Sequence, residues 1–249
     1  MLAIPISDDA PRTRPPVATV GLIAACSLVF LWQIGLPHRA ARWAIYSYGM
    51  VPAVLFGSAK LPAGHQLMPA WMTLISSQFL HGGVVHLLGN MLYLWIFGRA
   101  VEAGLGFFRY LLLYLGCGVI AGLTQAYLDP TDQVPMVGAS GAIAGVLGAY
   151  LVLNPRGNVV VLIWIFIFVR LVRLPAVLML GLWFLLQLAS ALSAPPSEPG
   201  VAFWAHVGGF VAGLCLVVML RPPGTRLFGP RRTRSFSLAG RPGWGGPWG

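Results

Sequence analysis

The sequence predicts an all-α polytopic membrane protein, a bundle of six transmembrane helices. Three observations carry this. First, 57% of the 249 residues are hydrophobic and only 9% charged, with mean hydropathy +0.79, whereas a soluble domain carries about 25% charged residues. Too little charge is present to cover a water-facing surface, which excludes both an ordinary soluble globule and a disordered chain. Second, the apolar residues gather into long runs bounded by Arg, Pro and Gly. Third, the basic residues alternate in density from one inter-run segment to the next, as they do between the two sides of a membrane.

Residues 1–16, polar and Pro-rich, read as a short flexible tail. The run from Val17 to Leu36 is long enough to span a ~30 Å hydrocarbon core and lacks a convincing cleavage site, so it reads as a retained span. The connection 37–80 holds His38, Arg39, Arg42 and Lys60 but also apolar stretches such as MVPAVLF, so it is expected to be structured and partly sunk in the outer leaflet. Further spans are expected at 82–101, 107–127, 138–153, 174–194 and 202–220. Together, 17–220 form the membrane domain, and 221–249, rich in Arg, Gly and Pro, read as a disordered basic tail lying against anionic lipid heads.

The apolar run 159–169 is too short to span and reads as interfacial or re-entrant. Charge placement supports leaving it out. With six spans, thirteen basic residues fall on one side and only Arg39, Arg42 and Lys60 on the other, which places both termini in the cytoplasm. Fifteen of the sixteen basic residues are Arg, a hint of a GC-rich bacterial genome and no more; the expected location is a bacterial inner membrane. Cys26, Cys117 and Cys215 all sit in apolar runs without disulfide or metal-site spacing.

Polar side chains within spans are costly, so each is a functional candidate. Three clusters stand out: His81, His86 and Asn90; Ser140 within Gly138-Ala139-Ser140-Gly141; and His206 within AHVGGFVAG. Each has a structural reading. His86 and Asn90, four apart on one helix face, suit an interhelical hydrogen bond worth about 0.5–2 kcal/mol. Ser is a common N-cap, and the pair Gly141 and Gly145 suits close helix packing. His81, at a loop boundary, suits a structural role.

The combination points further. In the six-span topology the second, fourth and sixth helices enter from the same side, which places all three clusters at similar shallow depth. Two helices with small-residue stripes, Gly141/Gly145 and Ala205/Gly209/Gly213, can pack in near contact. One offers a hydroxyl at its N-terminus and the other an imidazole. A serine becomes a nucleophile when a base within about 3 Å takes its proton, and neutral histidine suits that task near pH 7. The helix N-terminus at Ser140, with His86 and Asn90, offers donors for an oxyanion. No carboxylate lies in any expected span except Glu102 near an inner end, so the pattern favours a Ser-His dyad over a triad, with Asp129 and Asp132 left in the loop before Ser140. The fourth span is short, which puts its N-terminus and the irregular segment 134–137 below the membrane surface, where protein or a water-filled cavity must satisfy the backbone.

These stretches, HGGVVHLLGNMLYLWIFGRAVEAGLG (81–106), GASGAIAGVLGAY (138–150) and AHVGGFVAG (205–213), resemble the rhomboid family of intramembrane serine proteases over about Trp71 to Gly213. The resemblance implies a rhomboid-like six-helix core that cleaves transmembrane protein substrates entering laterally from the lipid bilayer. By position, it implies Ser140 as nucleophile and His206 as general base and acid. His86 and Asn90 match the oxyanion side, with Gly138 and Ala139 completing the motif, and His81 matches a supporting histidine. Small residues are implied at the cleaved bond. No metal or organic cofactor and no nucleic acid is implied; the oligomeric state is left open.

Two positions depart from the family pattern. Trp71 is followed by Met72 and Thr73 where many members have Arg. Ala144 stands where some members place a tyrosine against the catalytic histidine, so something else must orient His206. Two other classes stand beside this reading: a non-catalytic relative that binds transmembrane segments, which would usually lack the serine or histidine, and a small transporter, which would be favoured by inverted repeats or charged midplane residues. Neither feature is found.

Overall fold

The computed structural model describes residues 2–10, 14–165, 167–193, 201–225 and 227–228. Among the described residues, five helices are long and apolar enough to cross a membrane: α1 (Val17–Gly35), α3 (Val84–Leu105), α4 (Phe107–Leu128), α6 (Ala176–Ser193) and α7 (Phe203–Leu220). A shorter apolar helix, α5 (Ser140–Leu153), lies among them. Their bounds fall within a few residues of the expected spans. Between α1 and α3 the long connection is structured, as expected, with α2 (His38–Tyr48), a turn of helix at Pro52–Leu55 and a run of short helical turns over Ala70–Phe79. A π-bulge at Leu94–Gly98 interrupts α3.

Helix α5 is the centre of the bundle. Of its fourteen residues, eleven are buried, and its most extensive contacts are with α7 and then α4. An apolar helix buried on every side needs neighbours that approach closely, and glycine supplies the room. A Cβ at Gly141 would meet Ala121 of α4, and one at Gly145 would collide with Cys117 of α4. From the facing helix, a Cβ at Gly209 would strike the carbonyl of Gly141, and one at Gly213 that of Gly145. The small-residue stripes are thus backbone-to-backbone contacts.

The N-terminus of α1 is held by Glu102 of α3. Its carboxylate accepts from the Ala18 and Thr19 backbone N–H groups, each at 2.8 Å, and from the Thr19 hydroxyl at 2.7 Å. The first N–H groups of a helix have no intrahelical acceptor, and a buried anion there both satisfies them and meets the positive end of the dipole. The single carboxylate in an expected span is therefore structural.

A three-stranded antiparallel sheet, order β1-β2-β3, accompanies the helices: β1 (Leu2–Asp8), β2 (Asn158–Ile165) and β3 (Phe168–Pro175). In β1/β2 Leu2 faces Trp164 and Asp8 faces Val159; in β2/β3 Asn158 faces Pro175 and Ile165 faces Phe168. One expectation is corrected: residues 2–8 form a strand, not a flexible tail. The apolar run 159–169, expected not to span, contributes to β2 and β3. Seven of the eleven residues in 159–169 are Val or Ile, whose branched Cβ favours the pleated conformation over the helix. Pro5 is tolerated because β1 is an edge strand and its register shifts between Pro5 and Ser7. The sheet sits at the C-terminal end of α5, where the Tyr150 hydroxyl donates to Asp8 at 3.2 Å and Asp9 accepts from the Asn158 backbone and amide groups. Most of the C-terminal tail lies outside the described residues; Phe228 donates its backbone N–H to the Val152 carbonyl.

Candidate active site

Ser140 is the first residue of α5, at the end of the helix opposite the sheet. The chain reaches it through an irregular segment whose backbone is satisfied by protein, as the short fourth span required. Met136 and Met50 exchange both backbone hydrogen bonds, at 2.7 and 3.0 Å, and the Gly138 N–H donates to the Ser77 carbonyl at 2.9 Å. Gly138 has φ +127°, a region that favours glycine. A Cβ there would also lie 2.7 Å from Cε1 and 2.8 Å from Nε2 of His86. The glycine two residues before the serine thus lets α3 approach.

The hydroxyl of Ser140 and Nε2 of His206 are 2.9 Å apart. The two residues are 66 positions apart in sequence, and the glycine contacts of α5 and α7 bring them together. The other ring nitrogen of His206, Nδ1, is 3.2 Å from Oε1 of Gln187 on α6. Trp183, one turn earlier on α6, lies against the imidazole with ring centroids 5.9 Å apart and planes tilted by 35°.

From α3, Asn90 is buried and its amide nitrogen has no hydrogen-bond partner among the described residues. His86 accepts the Gly82 N–H on Nδ1 at 3.4 Å; a neutral imidazole that accepts on Nδ1 carries its proton on Nε2, the atom beside Gly138. Ser140, His206, His86, Asn90 and Gly138 all line one cavity of about 670 Å³, and Trp183 and Gln187 form part of its α6 wall.

Two further expected residues stand behind the cavity wall and not in it. Ala139 is fully buried in the core. His81, also buried, pins α1 to the start of α3. Its backbone N–H donates to Oε1 of Gln33 at 3.0 Å, Nε2 of Gln33 donates back to the His81 carbonyl at 3.3 Å, and its Nδ1 is 3.2 Å from the Phe79 carbonyl. Its ring stands 5.3 Å from that of His86, edge to face. Sequence reasoning missed Gln33, Gln187 and Trp183. The first two carried a signal, being polar side chains within apolar runs, the same criterion that selected His86 and Asn90.

Burial, and secondarily the neighbouring His86, push the His81 imidazole down to about 4, against the opposing pull of the Phe79 carbonyl. A free histidine titrates near 6.5. Between these values the unfolded chain binds a proton that the folded chain refuses. Stability from this group is therefore complete above pH ~6.5 and declines as pH falls toward ~4. We expect the melting temperature in detergent to fall between pH 7.5 and 5, and the slope to shrink in His81→Leu. An equal slope in both proteins would show that His81 is not held neutral by the fold.

A family model described as the rhomboid domain matches residues 69–223. The chain belongs to the rhomboid family. Similar proteins include the putative rhomboid protease YdcA of Bacillus subtilis, 38% identical over 119 residues, which cover 47% of this chain and 58% of that one. RHOMBOID-like protein 4 of Arabidopsis thaliana is 39% identical over 156 residues, 60% of this chain and 34% of that one. The rhomboid protease GluP of B. subtilis is 31% identical over 165 residues, 65% and 28% respectively. The matched part thus spans less than two thirds of each of these relatives. The family and the apolar helices make this a multi-pass membrane protein, and two of these relatives are named rhomboid proteases, one of them putative.

Proposed function

We propose that this rhomboid is a serine endopeptidase that hydrolyses peptide bonds of transmembrane proteins with a Ser140–His206 dyad. The observation that carries the reading is the 2.9 Å approach of the Ser140 hydroxyl to His206 Nε2 at the wall of a cavity of about 670 Å³. In this reading Ser140 Oγ attacks the substrate carbonyl while His206 Nε2 takes its proton. The tetrahedral intermediate collapses as His206 returns that proton to the leaving amine. Water, activated by His206, then attacks the acyl-enzyme and frees Ser140.

The oxyanion needs donors placed before it forms. The unpartnered Asn90 amide, His86 Nε2–H and the backbone N–H groups opening α5 are suited to this. Asn90→Ala is expected to lower kcat about 10²-fold with KM little changed, the usual cost of one such donor. A rate within twofold of wild type would remove Asn90 from the oxyanion site.

The thirteen-to-three distribution of basic residues supports cytoplasmic termini and a site toward the opposite face. The cavity wall includes Val85, His86 and Gly89 of α3 on one side and Trp183 and Gln187 of α6 on the other, and α6 is the least buried of the five long helices. This favours entry of the substrate from lipid between α3 and α6. The direct test is labelling by a fluorophosphonate probe in detergent. Labelling of Ser140 that is lost in Ser140→Ala supports the reading; a wild-type chain that neither labels nor cleaves a single-span substrate refutes it.

A further inference from the structure

A dyad histidine must do two things at once: keep its proton on the nitrogen away from the serine, and keep its ring from turning. A neutral imidazole has one N–H, and only the tautomer protonated on Nδ1 leaves Nε2 free to accept from Ser140. In a triad a carboxylate enforces this. Among the described residues, no carboxylate lies within hydrogen-bond distance of the imidazole, whose partners are Ser140 and Gln187, and Ala144 brings no ring to it.

What faces Nδ1 is Oε1 of Gln187, at 3.2 Å. An amide oxygen only accepts, so this contact requires the proton on Nδ1. Trp183 lies one turn away on the same face of α6 and covers the ring. Tautomer and ring orientation are thus both set from a single helix. That helix also has the lightest burial among the long spans, so Gln187 is among the few polar groups it directs inward.

Building on the dyad reading above, we propose that Gln187 is the positioning residue of the general base: its side-chain oxygen holds the Nδ1–H of His206 and so fixes Nε2 as the acceptor for Ser140. Because the amide is neutral, it orients the imidazole without adding the negative charge that a carboxylate would bring to the imidazolium. The contact also crosses from α6 to α7, so the base is set only when α6 lies against its neighbour.

Among the described residues, the other titratable groups around the cavity are His86 and Tyr93 on α3 and Asp132 in the loop before α5; α4 contributes Gly118, Ala121 and Gln125. None of these changes in the variants below. The test measures cleavage of a single-span model substrate across pH in wild type, Gln187→Leu and Gln187→Glu, each first checked by thermal melting.

In Gln187→Leu, kcat should fall about 10–100-fold with KM within about twofold, since the proton is free to occupy either nitrogen. In Gln187→Glu the carboxylate favours the imidazolium, so the acid limb of kcat/KM should move up by about one pH unit. A purely structural glutamine would not move that limb. An acid limb in Gln187→Glu that coincides with wild type overturns the proposal, even if Gln187→Leu fails to fold, as does a wild-type kcat in a folded Gln187→Leu. A wild-type chain with neither cleavage nor probe labelling is a separate outcome and overturns the dyad itself.

Discussion

Ser140→Ala and His206→Ala are each expected to reduce cleavage of a single-span substrate by at least about 10³-fold, close to 4 kcal/mol of transition-state stabilisation. The double variant should be no worse than either single one. A serine hydroxyl without a base is a weak nucleophile, and an imidazole without the hydroxyl has nothing to activate, so the two losses are one loss measured twice. Stability should respond differently. The 2.9 Å bond between the two side chains lies at the wall of a cavity of about 670 Å³, where water can replace a missing partner. Loss of the hydroxyl should therefore change unfolding free energy by no more than about 1 kcal/mol. The measurement pairs initial cleavage rates with thermal melts in the same detergent. Substantial turnover by either single variant would refute the dyad, whereas a large loss of stability in Ser140→Ala would make the hydroxyl structural.

The features legible in the sequence are those that membrane burial makes costly. Ser140, His206, His86 and Asn90 stand out because so few polar side chains interrupt the apolar runs. The glycine stripes around them announce which helices can touch, and the structure joins them as α5 and α7. Gln187 meets the same criterion. Its partner was hidden because contact with His206 depends on how α6 is rotated, and a helix apolar on nearly every face gives no periodicity from which to read that. His81 shows the converse: a motif histidine beside the site whose contacts, to Gln33 and Phe79, hold α1 to α3. The strands β2 and β3 were legible in composition, through their Val and Ile content, but the run was read only for its length against a membrane and not for its backbone conformation. Strand β1 was not legible at all. It pairs with residues about 150 positions away, its pattern is broken by Pro5, and only β2 gives it a reason to be extended.

Gly213→Ala is expected to be among the most damaging single-methyl additions outside the reacting groups. The added Cβ would strike the carbonyl of Gly145 and lie 2.7 Å from its Cα. The obstacle is backbone within a buried helix, which cannot rotate aside as a side chain can, so α5 and α7 must separate. Overpacking of this kind costs about 1–3 kcal/mol, and the change also removes the close Cα–H···O approach that glycine permits. The same displacement opens the distance between Ser140 and His206, which belong to these two helices and are already at hydrogen-bond length. A shift of about 1 Å at reacting groups can cost about 10²-fold in rate. Both melting temperature and kcat should therefore fall, and fluorophosphonate labelling should slow with them. Gly181→Ala in α6 is the matched control, because a Cβ there meets nothing within 4 Å. By helix propensity alone it should stabilise slightly, and it should leave the rate unchanged. If Gly213→Ala behaves like Gly181→Ala, the two catalytic helices do not meet backbone to backbone, and the juxtaposition of hydroxyl and imidazole loses its physical cause.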